Sequence, residues 1–246
     1  MNDPQNSRNM TDPRQRLIVA LDVPSLAQAE ALVDKLIGRV GMFKIGLELF
    51  HAAGPAAIQA VTRRGAEVFY DSKLLDIPNT VAGAARRITA LGVRMFNVHT
   101  LGGRAVMEAA KRAAGEQAAE SSGRPPLVLG VTVLTSLDER ALAEELGLPP
   151  PLEGHVLRLA RAAQDAGLDG VVASAREVRS LRAACGTEFC LVTPGIRPKW
   201  AAGGDQRRVM EPRAALEAGA DYLVIGRPIT AADDPAAAAE RILAEL

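Results

Sequence analysis

Six consecutive residues, Asp71-Ser72-Lys73-Leu74-Leu75-Asp76, alternate negative, positive and negative charge. Asp71 and Lys73 are two apart, so on an extended strand they share a face and enter one site together. Lys44 ends an earlier apolar run, Met42 to Ile45, and an adjacent parallel strand can set it beside Asp71. The three then alternate Lys, Asp, Lys, each ammonium held by a carboxylate. Such an array offers electrostatic and acid–base chemistry; the competing reading is a structural salt-bridge network. In the loop that follows, Asp76-Ile77-Pro78-Asn79-Thr80, proline stiffens the backbone, and Asn79 or Thr80 can cap the next helix, contact a ligand, or both.

Positioning these groups falls to eight short apolar, β-branched or aromatic runs: Leu17 to Leu21, Met42 to Ile45, Glu67 to Asp71, Met95 to His99, Leu127 to Val133, Gly170 to Ala173, Phe189 to Thr193 and Tyr222 to Ile225. Between them, apolar residues recur at helical spacing, as in Leu26, Ala29, Leu32, Val33 and Leu36. Four helix ends carry the same stop before the next run, at Gly65, Gly92, Gly167 and Gly219, where glycine fits the left-handed closing position. Strands alternating with helices must pair in parallel. Eight such units predict an α/β fold, a single-domain (β/α)8 TIM barrel over residues 16–246 behind a flexible tail over 1–15, with an open doubly wound sheet as the alternative.

A barrel of this kind works at the carboxyl ends of its strands. There the sequence places Asp22, Lys44, Asp71, Lys73, Asn97, His99, Thr132, Thr135, the segment Thr193 to Arg197, Gly226 and Arg227. Charges on buried strands are costly unless paired, so their recurrence at one rim points to a shared site. Ile225-Gly226-Arg227-Pro228 offers a glycine for close backbone approach and an arginine for bidentate phosphate contact, or a surface arginine in a turn. His99 has no neighbouring nucleophile or metal partner, which favours a hydrogen-bonded structural role. Trp200 is left without a role.

Composition narrows the partners. Twenty-nine basic residues balance twenty-nine acidic ones, so no global field draws the chain to nucleic acid or an anionic membrane. The two cysteines, Cys185 and Cys190, lack the spacing of a zinc site or a disulfide framework. The polar start of the chain lacks the apolar stretch of a signal peptide, and no segment is apolar for long enough to span a membrane. A cytoplasmic enzyme with small-molecule partners is expected.

The run Asp71 to Thr80 resembles the D-x-K-x-x-D-I-P-N-T signature of the orotidine 5′-phosphate decarboxylases. The resemblance extends through Ala20-Leu21-Asp22, Phe43-Lys44-Ile45-Gly46, Asn97-Val98-His99, Val131 to Ser136, Val192 to Arg197, Gly204 to Arg208 and Ile225 to Pro228. It implies decarboxylation of orotidine 5′-monophosphate to uridine 5′-monophosphate (UMP) and carbon dioxide, the last step of de novo UMP synthesis, with neither metal nor other cofactor. The product carbanion at C6 lies in an orbital the ring cannot delocalise, so electrostatics must lower the barrier. By resemblance, Lys73 stabilises that anion and delivers the replacing proton.

Asp71 then faces the substrate carboxylate; two like charges about 4 Å apart repel by roughly 4 kcal/mol at an effective dielectric near 20, and loss of carbon dioxide relieves them. Lys44 fixes Asp71 and a ribose hydroxyl, and Asp22 accepts from the ribose. The resemblance further implies a homodimer in which Asp76 and Thr80 reach the neighbouring site. It assigns Arg197, Gly226 and Arg227 to the phosphate, Gln206 to a loop reaching phosphate or base with Gly203 and Gly204 as its hinge, and Thr135 to the pyrimidine. For Thr135, a helix cap before Leu137-Asp138-Glu139 is the alternative. Two other functions stay open: a metal-dependent sugar-phosphate decarboxylase or aldolase of the same barrel superfamily, and a non-catalytic nucleotide-binding barrel.

Overall fold

The computed structural model describes residues 12–201 and 210–246. Eight parallel strands close into a barrel in sequence order: β1 (Leu17–Ala20), β2 (Met42–Ile45), β3 (Glu67–Leu74), β4 (Met95–His99), β5 (Leu127–Val131), β6 (Gly170–Val172), β7 (Cys190–Thr193) and β8 (Tyr222–Ile225). Pairing of Leu17 with Leu223 and Val19 with Ile225 seals β1 to β8, which rules out the open sheet. The outer layer is built from α1 (Leu26–Leu36), α2 (Leu47–Ala53), α3 (Pro55–Thr62), α4 (Pro78–Ala90), α5 (Arg104–Glu120) and α6 (Glu139–Leu146). It continues with α7 (Leu152–Asp165), α8 (Val178–Cys185), α9 (Pro212–Ala218), α10 (Arg227–Thr230) and α11 (Pro235–Leu243).

Local signals explain these elements. Ser25 caps α1 by accepting from the Gln28 backbone N–H, and Ala29, Leu32, Val33 and Leu36 form its buried stripe. Gly65, Gly92, Gly167 and Gly219 all have positive φ, as their place between helix and strand requires. Strand residues sort into two cores. Leu17, Val19, Phe43, Val68 and Phe96 point outward into the layer shared with the helices, whereas Ile18, Met42, Phe69, Met95, Leu129, Val192 and Val224 fill the barrel. This alternation makes the barrel a packed plug closed below its working rim.

One strand departs from regularity. Between the pairs Tyr70↔Phe96 and Leu74↔Val98, β3 advances four residues while β4 advances two. The two extra residues form a bulge, and within it Lys73 takes φ 47°, a left-handed conformation rare for a side chain of its size. The flat-strand expectation for Asp71 and Lys73 is therefore corrected: they come together through this irregularity and not through simple alternation. Among the described residues no helix is long and apolar enough to cross a membrane.

Candidate active site

The carboxyl ends of the strands open into a cleft of about 530 Å³. Asp22, Lys44, Asp71, Lys73, Thr135, Arg197, Gly226 and Arg227 all line it, so residues from six different strand ends meet in one place. Asp76 and Thr80 do not line it; both are exposed on the outside of the chain. Gln206 lies outside the described residues, as do Gly203 and Gly204.

The charged array has the predicted order. Lys73 Nζ is 2.7 Å from Asp71 Oδ1, and Lys44 Nζ is 3.5 Å from Asp71 Oδ2 and 2.9 Å from Asp22 Oδ1. Burial pushes the Asp71 carboxyl up, but Lys44 and Lys73, with hydrogen bonds from Lys73 and Asn97, outweigh it and hold the group below the ordinary carboxylate range. Asp71 is thus ionised at neutral pH although its side chain is only 13% exposed. A left-handed lysine costs about 1–2 kcal/mol relative to the right-handed form, and such strain persists only where the surroundings dictate it.

Two residues that were given no role bear on this geometry. Asn97 on β4 is fully buried, donates from Nδ2 to Asp71 Oδ1 at 2.7 Å, and accepts at Oδ1 from the Lys73 backbone N–H at 2.6 Å. Its signal in the sequence was an amide inside the apolar run Met95 to His99, since a polar side chain buried on a strand needs partners. Gly46 precedes α2, and a Cβ built on it would stand 3.0 Å from both Asp22 Oδ1 and Lys44 Nζ. The absence of a side chain there leaves room for the ion pair.

Capping is settled differently from the sequence reading. α4 begins at Pro78 behind Ile77, with no side-chain cap bond, so Asn79 and Thr80 fall inside its first turn. α6 is capped by Asp138, which accepts from the Ala141 N–H at 2.9 Å, leaving Thr135 at the cleft wall. His99 is buried, its Nδ1 accepting from the Leu101 N–H at 3.4 Å. Burial, then the Lys73 charge, lowers its pKa below the usual histidine value. Trp200 packs on α11's C-terminal end: its Nε1–H donates to Glu245 at 2.8 Å, and the Arg241 guanidinium lies 4.5 Å from the ring centroid.

On the other side of the cleft, Arg197 pairs its backbone with Met210 and Arg227 opens α10 behind Gly226. Four cations, Lys44, Lys73, Arg197 and Arg227, therefore face two carboxylates, Asp22 and Asp71, a balance suited to a small ligand with several negative charges.

Fold and site together define a TIM-barrel enzyme with a lysine–aspartate charged array at its carboxyl rim. The chain belongs to the orotidine 5′-phosphate decarboxylase / HUMPS family, whose profile matches residues 15–242. It is 58% identical over 233 residues to an orotidine 5′-phosphate decarboxylase of Moorella thermoacetica, covering 95% of this chain and 92% of the relative. A second relative of the same name, from Syntrophotalea carbinolica, is 53% identical, covering 96% of this chain and 97% of its own length. The crystal structure of orotidine 5′-phosphate decarboxylase from Lactobacillus acidophilus superposes with a TM-score of 0.83 at 38% identity, covering 93% and 97% of the two chains.

Proposed function

We infer that the chain decarboxylates orotidine 5′-monophosphate to UMP and carbon dioxide, in pyrimidine nucleotide biosynthesis. The observation that carries this reading is the ordered array Asp22, Lys44, Asp71, Lys73, with the Lys73 ammonium 2.7 Å from a largely buried, ionised Asp71. In this reading the phosphate lies toward Arg197 and Arg227, with Gly226 allowing close approach of the backbone, Thr135 meets the pyrimidine, and Asp22 and Lys44 take the ribose. C6 and its carboxylate then lie against the Lys73–Asp71 pair. Repulsion from Asp71 is relieved as carbon dioxide leaves, while Lys73, already polarised against Asp71, neutralises the carbanion and protonates it. Gln206 belongs to the phosphate side by resemblance alone.

The barrel is one catalytic domain over 16–246 in this account, working in the cytoplasm as a homodimer. Leu75 and Ile77, 55% and 67% exposed, flank Asp76 in the chain, and these exposed apolar side chains support a contact that would carry Asp76 and Thr80 to a neighbour's cleft. Against a metal-dependent sugar-phosphate enzyme stands the Lys44 ammonium, which occupies the space between the Asp22 and Asp71 carboxylates where a divalent ion would bind. Against a mere binding barrel stands Asp71, since binding alone gives no reason to hold a carboxylate toward an anionic ligand.

Absorbance during mixing with orotidine 5′-monophosphate in excess EDTA separates these readings. Rapid conversion to UMP is expected. Folded protein that converts nothing, with or without a divalent ion, would favour the sugar-phosphate enzyme or a binding role, and conversion only after a divalent ion is restored would overturn the metal-free mechanism.

A further inference from the structure

The bulge in β3 concentrates three unusual features in three residues. Asp71 is a nearly buried carboxylate, Ser72 a buried hydroxyl, and Lys73 a left-handed lysine. All three are tied to one residue on the neighbouring strand. Asn97 accepts at Oδ1 from the Lys73 backbone N–H (2.6 Å), donates from Nδ2 to Asp71 Oδ1 (2.7 Å), and its backbone carbonyl accepts from the Ser72 hydroxyl (2.8 Å). Chemistry fixes the orientation of the amide: a backbone N–H can only donate and an ionised carboxylate can only accept. Asn97 has no exposed surface and does not line the cleft, so it cannot touch a ligand there.

We propose that Asn97 is a positioning residue for the decarboxylation, a two-pronged clamp that holds the Lys73 backbone in its left-handed form and the Asp71 carboxylate against the Lys73 ammonium. The inference rests on the function proposed above for the same site. Asparagine meets the requirement because its short side chain presents one acceptor and one donor side by side. Alanine presents neither, and leaves the Lys73 N–H without its acceptor. An ionised aspartate would set a second anion against Asp71, but in its protonated form it presents the same acceptor and donor as the amide.

The groups facing Asp71 are Lys44 from β2, Lys73 from β3 itself and Asn97 from β4, with Asp22 acting through Lys44 and His99 near Lys73. Removing the amide takes a donor from Asp71 while leaving both lysines, so the carboxyl should titrate at higher pH than in the parent. A residue needed only for folding would not move that titration in a folded protein.

The test uses Asn97→Ala and Asn97→Asp, with thermal melting to establish folding. In Asn97→Ala, kcat is expected to fall roughly ten- to a thousandfold while UMP affinity stays within about threefold, because the clamp governs the geometry of the charged pair and not the ligand contacts. In Asn97→Asp, kcat relative to the parent is expected to rise as pH falls and the new acid protonates. Should the alanine variant not fold, the isosteric aspartate variant carries the test. Carbon-13 NMR of Asp71 in unliganded protein gives a readout independent of turnover, with the midpoint expected to move upward in the alanine variant. A folded variant with unchanged Asp71 titration overturns the clamp whatever the substrate; absence of turnover in the parent with a shifted Asp71 midpoint overturns instead the proposed reaction and leaves the clamp standing.

Discussion

Lys44 leans toward Asp22: its Nζ stands 2.9 Å from Asp22 Oδ1, against 3.5 Å from Asp71 Oδ2. The more exposed carboxylate, Asp22 at 56%, thus holds the ammonium that also serves the less exposed one, Asp71 at 13%. Asp22→Asn should free Lys44 to close on Asp71 and remove the proposed charged partner of the ribose. A hydrogen bond to a charged group contributes about 1.5–3 kcal/mol, so KM is expected to rise roughly ten- to hundredfold with a smaller change in kcat. Gly46→Ala probes the same pair without touching a charge, since its Cβ would crowd both members at 3.0 Å. Steady-state kinetics should show kcat/KM falling roughly tenfold in a protein that still melts cooperatively; parent-like constants for both variants would mean the pair does not shape the site.

Phosphate binding remote from C6 supplies energy that can be used at the reacting centre. Arg227→Ala should lower kcat/KM for orotidine 5′-monophosphate roughly ten- to hundredfold, the worth of one charged contact. For the phosphate-free nucleoside orotidine, expected to be a poor substrate of the parent, the same substitution should change little. A variant equally impaired on both substrates would place Arg227 away from the phosphate.

Acid sensitivity should have an identifiable source in His99. Its folded pKa lies below the ordinary 6.5, first because it is buried and second because of Lys73. The unfolded chain therefore takes up this proton at higher pH than the folded one, and stability falls as pH drops through the window below about 6.5. Asp71, whose folded pKa is depressed, adds a loss at lower pH: its contribution is full above the ordinary carboxyl value of 3.8 and disappears as pH falls through the folded value. Chemical denaturation of parent and His99→Gln between about pH 7.5 and 5 should give a shallower decline for the variant. Parallel curves would dissociate His99 from the acid response.

At the opposite end of the barrel, Arg182 Nη2 lies 2.7 Å from Asp221 Oδ2, and the same carboxylate oxygen accepts from the Leu191 N–H at 2.8 Å. Asp221 is 1% exposed. Arg182→Met leaves that carboxylate buried without its cation, which typically costs about 3–5 kcal/mol. This face of a TIM barrel serves stability and not chemistry, so turnover at a permissive temperature should stay close to the parent's. A large loss of turnover in folded Arg182→Met would contradict that division.

Most of the architecture was legible because the signals were local and repeated. Strand cores were apolar, helices carried a stripe such as Ala29, Leu32, Val33 and Leu36, and Gly65, Gly92, Gly167 and Gly219 marked the joins. The convergence of Asp22, Lys44, Asp71, Lys73, Thr135, Arg197, Gly226 and Arg227 on one cleft followed from the rule that strand ends share a rim. The bulge was not legible, because nothing in Asp71-Ser72-Lys73 announces that two residues will be extra against β4; that depends on the pairing of Tyr70 with Phe96 and Leu74 with Val98. Asn97 escaped assignment for the same reason, since its partners come from another strand. Thr135 and Thr80 were ambiguous as caps until Asp138 and the Ile77-Pro78 start occupied those positions.

In the proposed reaction everything turns on the Lys73 ammonium, held by Asp71, stabilising and protonating the C6 carbanion. Single-turnover decarboxylation of orotidine 5′-monophosphate by Lys73→Ala, followed by absorbance alongside UMP binding by calorimetry, tests it most directly. A rate lowered more than about a thousandfold is expected in a variant that still binds the nucleotide measurably. A folded Lys73→Ala that turns over within a few-fold of the parent would contradict it.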